Sequence, residues 1–275
     1  MKTRILTAAV MLAVFLPILW FSDTVVYPIA LGILSAVATY ELLRCLGMHR
    51  DAFFSVVIVA GAALPILARY ADTAEAHLAT LTSVYFLLTV YLLGTAVFRP
   101  GRVSYGSLMG ILGGSFYIAV AFSSLVLLRD FPNGVYLFLL PFVGSWVTDT
   151  FAYFTGRVCG RHKLAPAVSP KKTVEGSIGG VAFAVAAFIL YGAILAGRGF
   201  SPSYAVLAVC GLFTSVVSQI GDLALSAIKR EYGVKDYGRL FPGHGGVLDR
   251  FDSVIATAPL LLMLCLWGAS GAILS

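Results

Sequence analysis

Asp222 stands inside a long apolar run, in Ser218-Gln219-Ile220-Gly221-Asp222-Leu223-Ala224-Leu225-Ser226. A carboxylate at bilayer depth costs about 2.5–3.5 kcal/mol even on a lenient insertion scale, so it persists only with a partner or a task. On a helix, Ser218, Asp222 and Ser226 share one face, and that face runs on to Lys229 or Arg230. Two more carboxylates, Asp249 and Asp252, flank Arg250 where the last apolar run begins, and Asp149 lies within another run, in Trp146-Val147-Thr148-Asp149-Thr150-Phe151-Ala152-Tyr153. Between Asp222 and Asp249 lies the turn Phe241-Pro242-Gly243-His244-Gly245-Gly246-Val247-Leu248. Its glycines let backbone N–H groups approach an anion, and a helix N-terminus follows, so the pattern suits phosphate. Lys229, Arg230, Lys235 and Arg250 supply cations for phosphate oxygens, and the carboxylates suit a hard divalent metal. His244 can serve as acid, base or hydrogen-bond donor, with the donor role ranked first. A second segment, Ser169-Pro170-Lys171-Lys172-Thr173-Val174-Glu175-Gly176, offers Lys171 and Lys172 as a polyphosphate clamp and Thr173 as a helix cap. The bland alternatives are a buried salt bridge for Asp222, a dipole-favoured charge for Asp252, and purely topogenic charge for the basic segments.

The elements that must position these residues are membrane helices. The chain has 275 residues, 59% hydrophobic and 12% charged, with a mean hydropathy of +0.93. A bilayer core about 30 Å thick needs roughly 20 apolar residues per helical span. Apolar runs at about 5–21, 25–43, 52–69, 78–98, 105–128, 134–156, 177–196, 204–228 and 251–273 predict an all-α polytopic protein of about nine transmembrane helices. The opening Met1-Lys2-Thr3-Arg4 and its apolar run lack a small-x-small cleavage pattern at Phe21-Ser22-Asp23, so this run is read as a retained helix. With nine spans, Arg69, Arg129 and Arg198 fall on one side, and the other sixteen of the 19 Lys and Arg fall on the opposite side. That places the N-terminus in the cytoplasm and the C-terminus outside. Two cytoplasmic loops, 157–176 and 229–250, carry the chemistry. The expected division is an N-terminal region of five spans, 1–130, and a catalytic region of four, 131–275. The net charge of +6 does not point to nucleic acid, because the positive residues are spread over loops between spans. Anionic headgroups or phosphorylated substrates are the better partners. Cys45, Cys159, Cys210 and Cys265 have no C-x-x-C spacing and read as packing residues.

The run from Ser226 through Ile228-Lys229-Arg230, Lys235-Asp236-x-Gly238, Phe241-Pro242-x-His244-Gly245-Gly246-Val247 and Asp249-Arg250-Phe251-Asp252 resembles the signature of the phosphatidate cytidylyltransferases, the CDP-diacylglycerol synthases. Gly221-Asp222, the Ser169 to Gly176 segment and Asp149-x-x-Ala152-Tyr153 are similar to that family too. The resemblance covers roughly residues 145 to 255, and the first five helices match only in being apolar. It implies transfer of a cytidylyl group from CTP to phosphatidic acid at the cytoplasmic face of the cell inner (plasma) membrane, by a homodimer. It also implies Mg²⁺, with room for a second metal ion, held by Asp222 and Asp249 with Asp252 and Asp149 in support. The implied substrate-binding set is Lys171, Lys172, Ser226, Lys229, Arg230, Lys235, Gly245, Gly246 and Arg250, with Asp222, Asp249 and His244 as the catalytic group. A transporter would also bury Asp222 and Asp149, yet it predicts repeated halves, and none is found. The D-G-x-x-A-R type motif of the CDP-alcohol phosphotransferases does not occur. A CTP-dependent lipid or polyisoprenol kinase fits the chemistry, and the resemblance weighs against it.

Overall fold

Apolar segments that leave water must satisfy their backbone N–H and C=O groups internally, and the helix does this within one segment. In the computed structural model, which describes residues 2–71, 73–99, 101 and 103–275, the runs become α1 (Lys2–Trp20), α2 (Val26–Cys45), α3 (Ser55–Ala68), α4 (Ala74–Phe98), α5 (Tyr105–Asp130), α6 (Leu140–Cys159), α7 (Val174–Ala196), α8 (Tyr204–Glu231) and α9 (Leu248–Leu264). A π-helical turn, Cys265–Ala269, continues α9, with Gly268 at φ 103°. Among the described residues seven helices are long and apolar enough to cross a bilayer, while Ala9–Trp20 and Ala52–Ala68 are shorter. The expected count of nine spans is therefore met by seven on length and composition. Arg102, one of the sixteen charges counted above, lies outside the described residues, as do the side chains of Lys2 and Arg4.

One segment departs from all-α. In the loop after α6, β1 (Lys163–Ala165) pairs antiparallel with β2 (Ser169–Thr173), Lys163 opposite Thr173 and Ala165 opposite Ser169. Ser169-Pro170-Lys171-Lys172-Thr173 has no apolar alternation to announce a strand. The hairpin is instead tied down by Glu175, whose carboxylate accepts the Arg161 and His162 amides at 3.0 and 3.2 Å and meets His162 Nδ1 at 2.6 Å. Thr173 caps α7 as expected, accepting the Gly176 N–H.

The chain forms two compact units, Met1–Leu127 with Tyr232–Arg250, and Leu128–Glu231 with Phe251–Ser275. Most of loop 229–250, assigned above to the later spans, thus belongs with the first five helices. In the first unit Gly61 lets α3 approach α2 closely, since a methyl there would meet the Thr39 hydroxyl at 2.7 Å. Leu64, Leu81 and Ala119 form a buried cluster linking α3, α4 and α5. Phe53 stacks on Tyr91 with ring centroids 4.5 Å apart, and the Arg99 guanidinium lies over the Phe53 ring, also 4.5 Å from its centroid.

In the second unit small residues bring α6, α7 and α8 together, the usual means of close helix packing in lipid. Thr148 donates to Ser215 at 2.8 Å, Ser145 and Thr257 lie 3.1 Å apart, and Phe151 stacks on Phe183 at 3.9 Å. A methyl on Gly144 would overlap Thr214 and sit 3.2 Å from the Phe188 ring. Gly144→Ala is expected to destabilise by about 1–3 kcal/mol through overpacking, lowering the thermal midpoint in detergent by roughly 3–10 °C. Gly94→Ala, where nothing lies within 4 Å, should leave the midpoint equal or higher because alanine favours the helix. A scanning fluorimetry series on the two variants checks the contrast. Phe86 and Leu87 on α4 are each 66% exposed, as apolar side chains on a membrane-spanning helix can be.

Candidate functional site

The polar stripe on α8 forms as its spacing dictates. Asp222 sits two turns before the helix ends, and Ser226, one turn on, donates to its Oδ1 at 3.2 Å. Lys172 reaches from β2 to Oδ2 at 2.5 Å, the two side chains being 26% and 22% exposed. Asp222 thus has the ion-pair partner of the bland reading, but that partner comes from the basic loop rather than from a neighbouring membrane helix. Lys172, Lys171, Asp149, Tyr153, Arg157, Gln219 and Asp222 all face one cavity of about 330 Å³, with Gly156 and Gly176 as its small wall residues. The close approach of α6 and α7 requires those glycines, since a methyl on Gly176 would meet the Ala152 carbonyl at 2.6 Å.

On α9, Ser253 joins two carboxylates. Its hydroxyl donates to Asp149 Oδ2 at 3.2 Å and its amide to Asp252 Oδ1 at 2.9 Å. Asp252 is within electrostatic reach of Asp222, Asp149 and Lys229. Lys229 is buried, while Arg230 is exposed and donates from Nε to the Val168 carbonyl at 3.4 Å, tethering the hairpin. The second unit therefore gathers Asp149, Asp222, Asp252, Ser226, Lys171, Lys172, Lys229 and Arg230. Among the described residues no three of the His, Cys, Asp or Glu side chains lie closely enough to hold a metal ion by themselves.

Lys235, His244, Gly245, Gly246, Asp249 and Arg250 belong to the first unit. Here the sequence reading needs revision. The amides expected to cradle phosphate already have acceptors. Asp249 Oδ2 receives the N–H groups of Tyr237 at 2.9 Å, Gly238 at 3.4 Å and Gly246 at 2.9 Å. Val247 and Leu248 donate to Glu41 at 3.0 and 2.9 Å, and His244 and Gly245 donate to the Phe241 carbonyl. The anions at this helix N-terminus are the protein's own carboxylates. Lys235 and Arg250 are exposed, and His244 Nδ1 is buried with no hydrogen-bond partner among the described residues.

Glu41 is the residue the sequence reading missed. Its signal was available, an acidic group within an apolar run, the same criterion that singled out Asp222. Ser253 and Gln219 were missed too, and they carry no signal of their own.

Long apolar helices in both units and, in the second, a cavity lined by aspartates and lysines define a polytopic membrane protein with a polar site suited to phosphorylated ligands. Residues 2–267 match the Cytidylyltransferase family, and the chain belongs to it. It is 35% identical over 269 residues to the phosphatidate cytidylyltransferase of Staphylococcus haemolyticus strain JCSC1435, and 36% identical over 269 residues to that of Staphylococcus aureus strain COL, covering 96% of this chain and 98% of each relative. The protein of the same name from Brucella abortus biovar 1 is 49% identical over 151 residues, 54% of each chain. The likeness extends through the first five helices, well beyond the residues 145 to 255 that motifs alone reveal.

Proposed function

We propose that this protein transfers a cytidylyl group from CTP to the phosphate of phosphatidic acid, releasing pyrophosphate and leaving CDP-diacylglycerol in the membrane. Membership of the family along nearly the whole chain carries the reading, and the cavity beside Asp222 supports it. A phosphate oxygen of the lipid attacks the α-phosphorus of CTP, and the bond to the β-phosphate oxygen breaks. The nucleophile is already anionic near neutral pH, so the chain's task is to position two anions and offset their charge. Lys171, Lys172 and Arg157 line the cavity and orient the triphosphate. Lys172 leaves Asp222 for a phosphate oxygen when nucleotide arrives. The resemblance to the family, rather than any arrangement of the two units, assigns phosphate oxygens to Lys229, Arg230, Lys235 and Arg250 and a donor hydrogen bond to His244.

Mg²⁺ belongs to the same proposal, and the donor set fits it. Asp149 and Asp222 present hard oxygens to one cavity, Asp252 is within electrostatic reach, and Lys172 shows that a cation is stable against Asp222 Oδ2. Three protein ligands are not needed, because Mg²⁺ typically takes one or two carboxylates and completes its shell with substrate phosphates and water. When bound, the ion polarises the α-phosphoryl group and neutralises charge on the leaving pyrophosphate. The inner membrane as location, a cytoplasmic site and a homodimer complete the proposal. With nine spans, sixteen of the 19 basic residues fall on one side, which supports the site's orientation, and the dimer rests on resemblance alone.

The deciding experiment follows radiolabel from CTP into the organic phase, using purified protein with phosphatidic acid and Mg²⁺ in detergent micelles. Label from the α-position and none from the γ-position is the expected result, abolished by EDTA and restored by excess Mg²⁺. Entry of γ-label alone would make the protein a CTP-dependent kinase. Neither label entering from a folded sample would overturn the proposal.

A further inference from the structure

Glu41 lies in the last turn of α2 and is only 3% exposed. That is a poor place for a carboxylate, because the C-terminal end of a helix dipole is negative and burial removes hydration. A local conflict of this kind persists where something else compensates. Here the compensation is a second helix end. Glu41 Oε1 accepts the N–H of Val247 at 3.0 Å and Oε2 that of Leu248 at 2.9 Å, so both oxygens act on the N-terminus of α9, where negative charge is favoured. The fit leaves no slack. A methyl built on Gly238 or on Gly246 would run into the Glu41 carboxylate, so the loop closes around this side chain on both flanks. Asp249 binds the same loop from inside through Tyr237, Gly238 and Gly246. A third tie comes from α1, where the Thr7 hydroxyl donates to the Pro242 carbonyl at 3.1 Å.

We propose that Glu41 is a positioning residue for cytidylyl transfer: from α2 it fixes the loop 238–248 and the start of α9, and so sets where His244, Asp249 and Arg250 are presented to substrate. The idea rests on the functional reading above. It gives the first helices a part in catalysis beyond anchoring the chain in lipid. Gln is the sharpest probe, because it matches Glu in size but offers one acceptor oxygen in place of two and turns an NH₂ toward an amide that needs an acceptor. Glu41→Gln is expected to lower kcat/KM for CTP at least tenfold. Backbone amide exchange should accelerate in peptides spanning 238–250 and stay unchanged in α3, α4 and α5, with a thermal midpoint within a few degrees of the parent. Gly238→Ala perturbs the same contact from the loop side, and the double variant should lose little more than the worse single variant, since both release one element. Activity within twofold of the parent in Glu41→Gln would overturn the proposal. So would loss of activity accompanied by faster exchange throughout the first five helices, which would mark Glu41 as a general packing residue. Arg250→Ala run in parallel separates this inference from the reading beneath it: normal turnover there would remove the loop from the site altogether, whereas a dead Arg250→Ala beside a normal Glu41→Gln would sink only the role of Glu41.

Discussion

Asp222→Asn is expected to reduce cytidylyl transfer at least a thousandfold while leaving the protein folded in the membrane. The substitution keeps the shape of the side chain and the Ser226 hydrogen bond at Oδ1. What it removes is charge, in a cavity where charge is the chemistry. The Lys172–Asp222 pair is only about a quarter exposed on each side, and Lys172 Nζ is buried. Removing one charge leaves the other poorly hydrated, at a cost of up to about 3–5 kcal/mol, so the thermal midpoint should fall; the amide oxygen retained at position 222 reduces that cost but does not abolish it. A pair of this kind also admits a purely structural explanation, in which Asp222 exists to hold the hairpin in place. The double variant Asp222→Asn with Lys172→Met decides the matter. If the ion pair were only a strut, removing both charges would restore much of the activity lost with one. We expect no recovery, because Lys172 has its own task on the triphosphate and nothing else replaces the carboxylate. Turnover of the double variant near the parental level would withdraw Asp222 from the chemistry.

The α8 stripe was legible because its physics is local. Three polar residues at i, i+4 and i+8 in an apolar run can only share a face, and the structure puts Ser226 on Asp222 as that spacing requires. The spans were legible for a similar reason, since hydropathy over about 20 residues averages out local detail. The hairpin was not legible. Its strands are held by Glu175 taking two amides and His162, a tertiary arrangement with no periodic trace in the sequence. The phosphate-cradle reading of the Gly-rich turn failed for a more instructive reason. Glycines free a backbone to approach an anion, but they do not say whose anion. Glu41 stands 206 residues before Val247, and no motif spans that interval. Nor does any motif show that α2 supplies the acceptor that caps the end of loop 229–250.

Asp249 should separate into two phenotypes according to what replaces it. Its Oδ2 receives three amides in a pocket where the side chain is only 6% exposed. Asp249→Ala removes the carboxylate that accepts the Tyr237, Gly238 and Gly246 amides. Each unsatisfied buried donor costs about 1–3 kcal/mol, and three together approach the roughly 5–15 kcal/mol that hold a typical protein folded. Asp249→Ala is therefore expected not to yield monodisperse protein in detergent. Asn can set its Oδ1 where Oδ2 stood and still accept the three amides, though without charge assistance, which about halves their strength. Asp249→Asn should accumulate as folded protein with a lowered thermal midpoint and turn over at least a hundredfold more slowly. The slow variant also distinguishes the two roles open to this residue. The resemblance makes Asp249 a partner of Asp222 at Mg²⁺, in which case the deficit shrinks as Mg²⁺ is raised or Mn²⁺ substituted. Its contacts make it the keystone of the loop, in which case metal concentration has no effect and the 238–250 amides exchange faster. Folded Asp249→Ala protein with parental activity would contradict both roles, because neither a metal ligand nor the acceptor of three buried amides can be dispensed with.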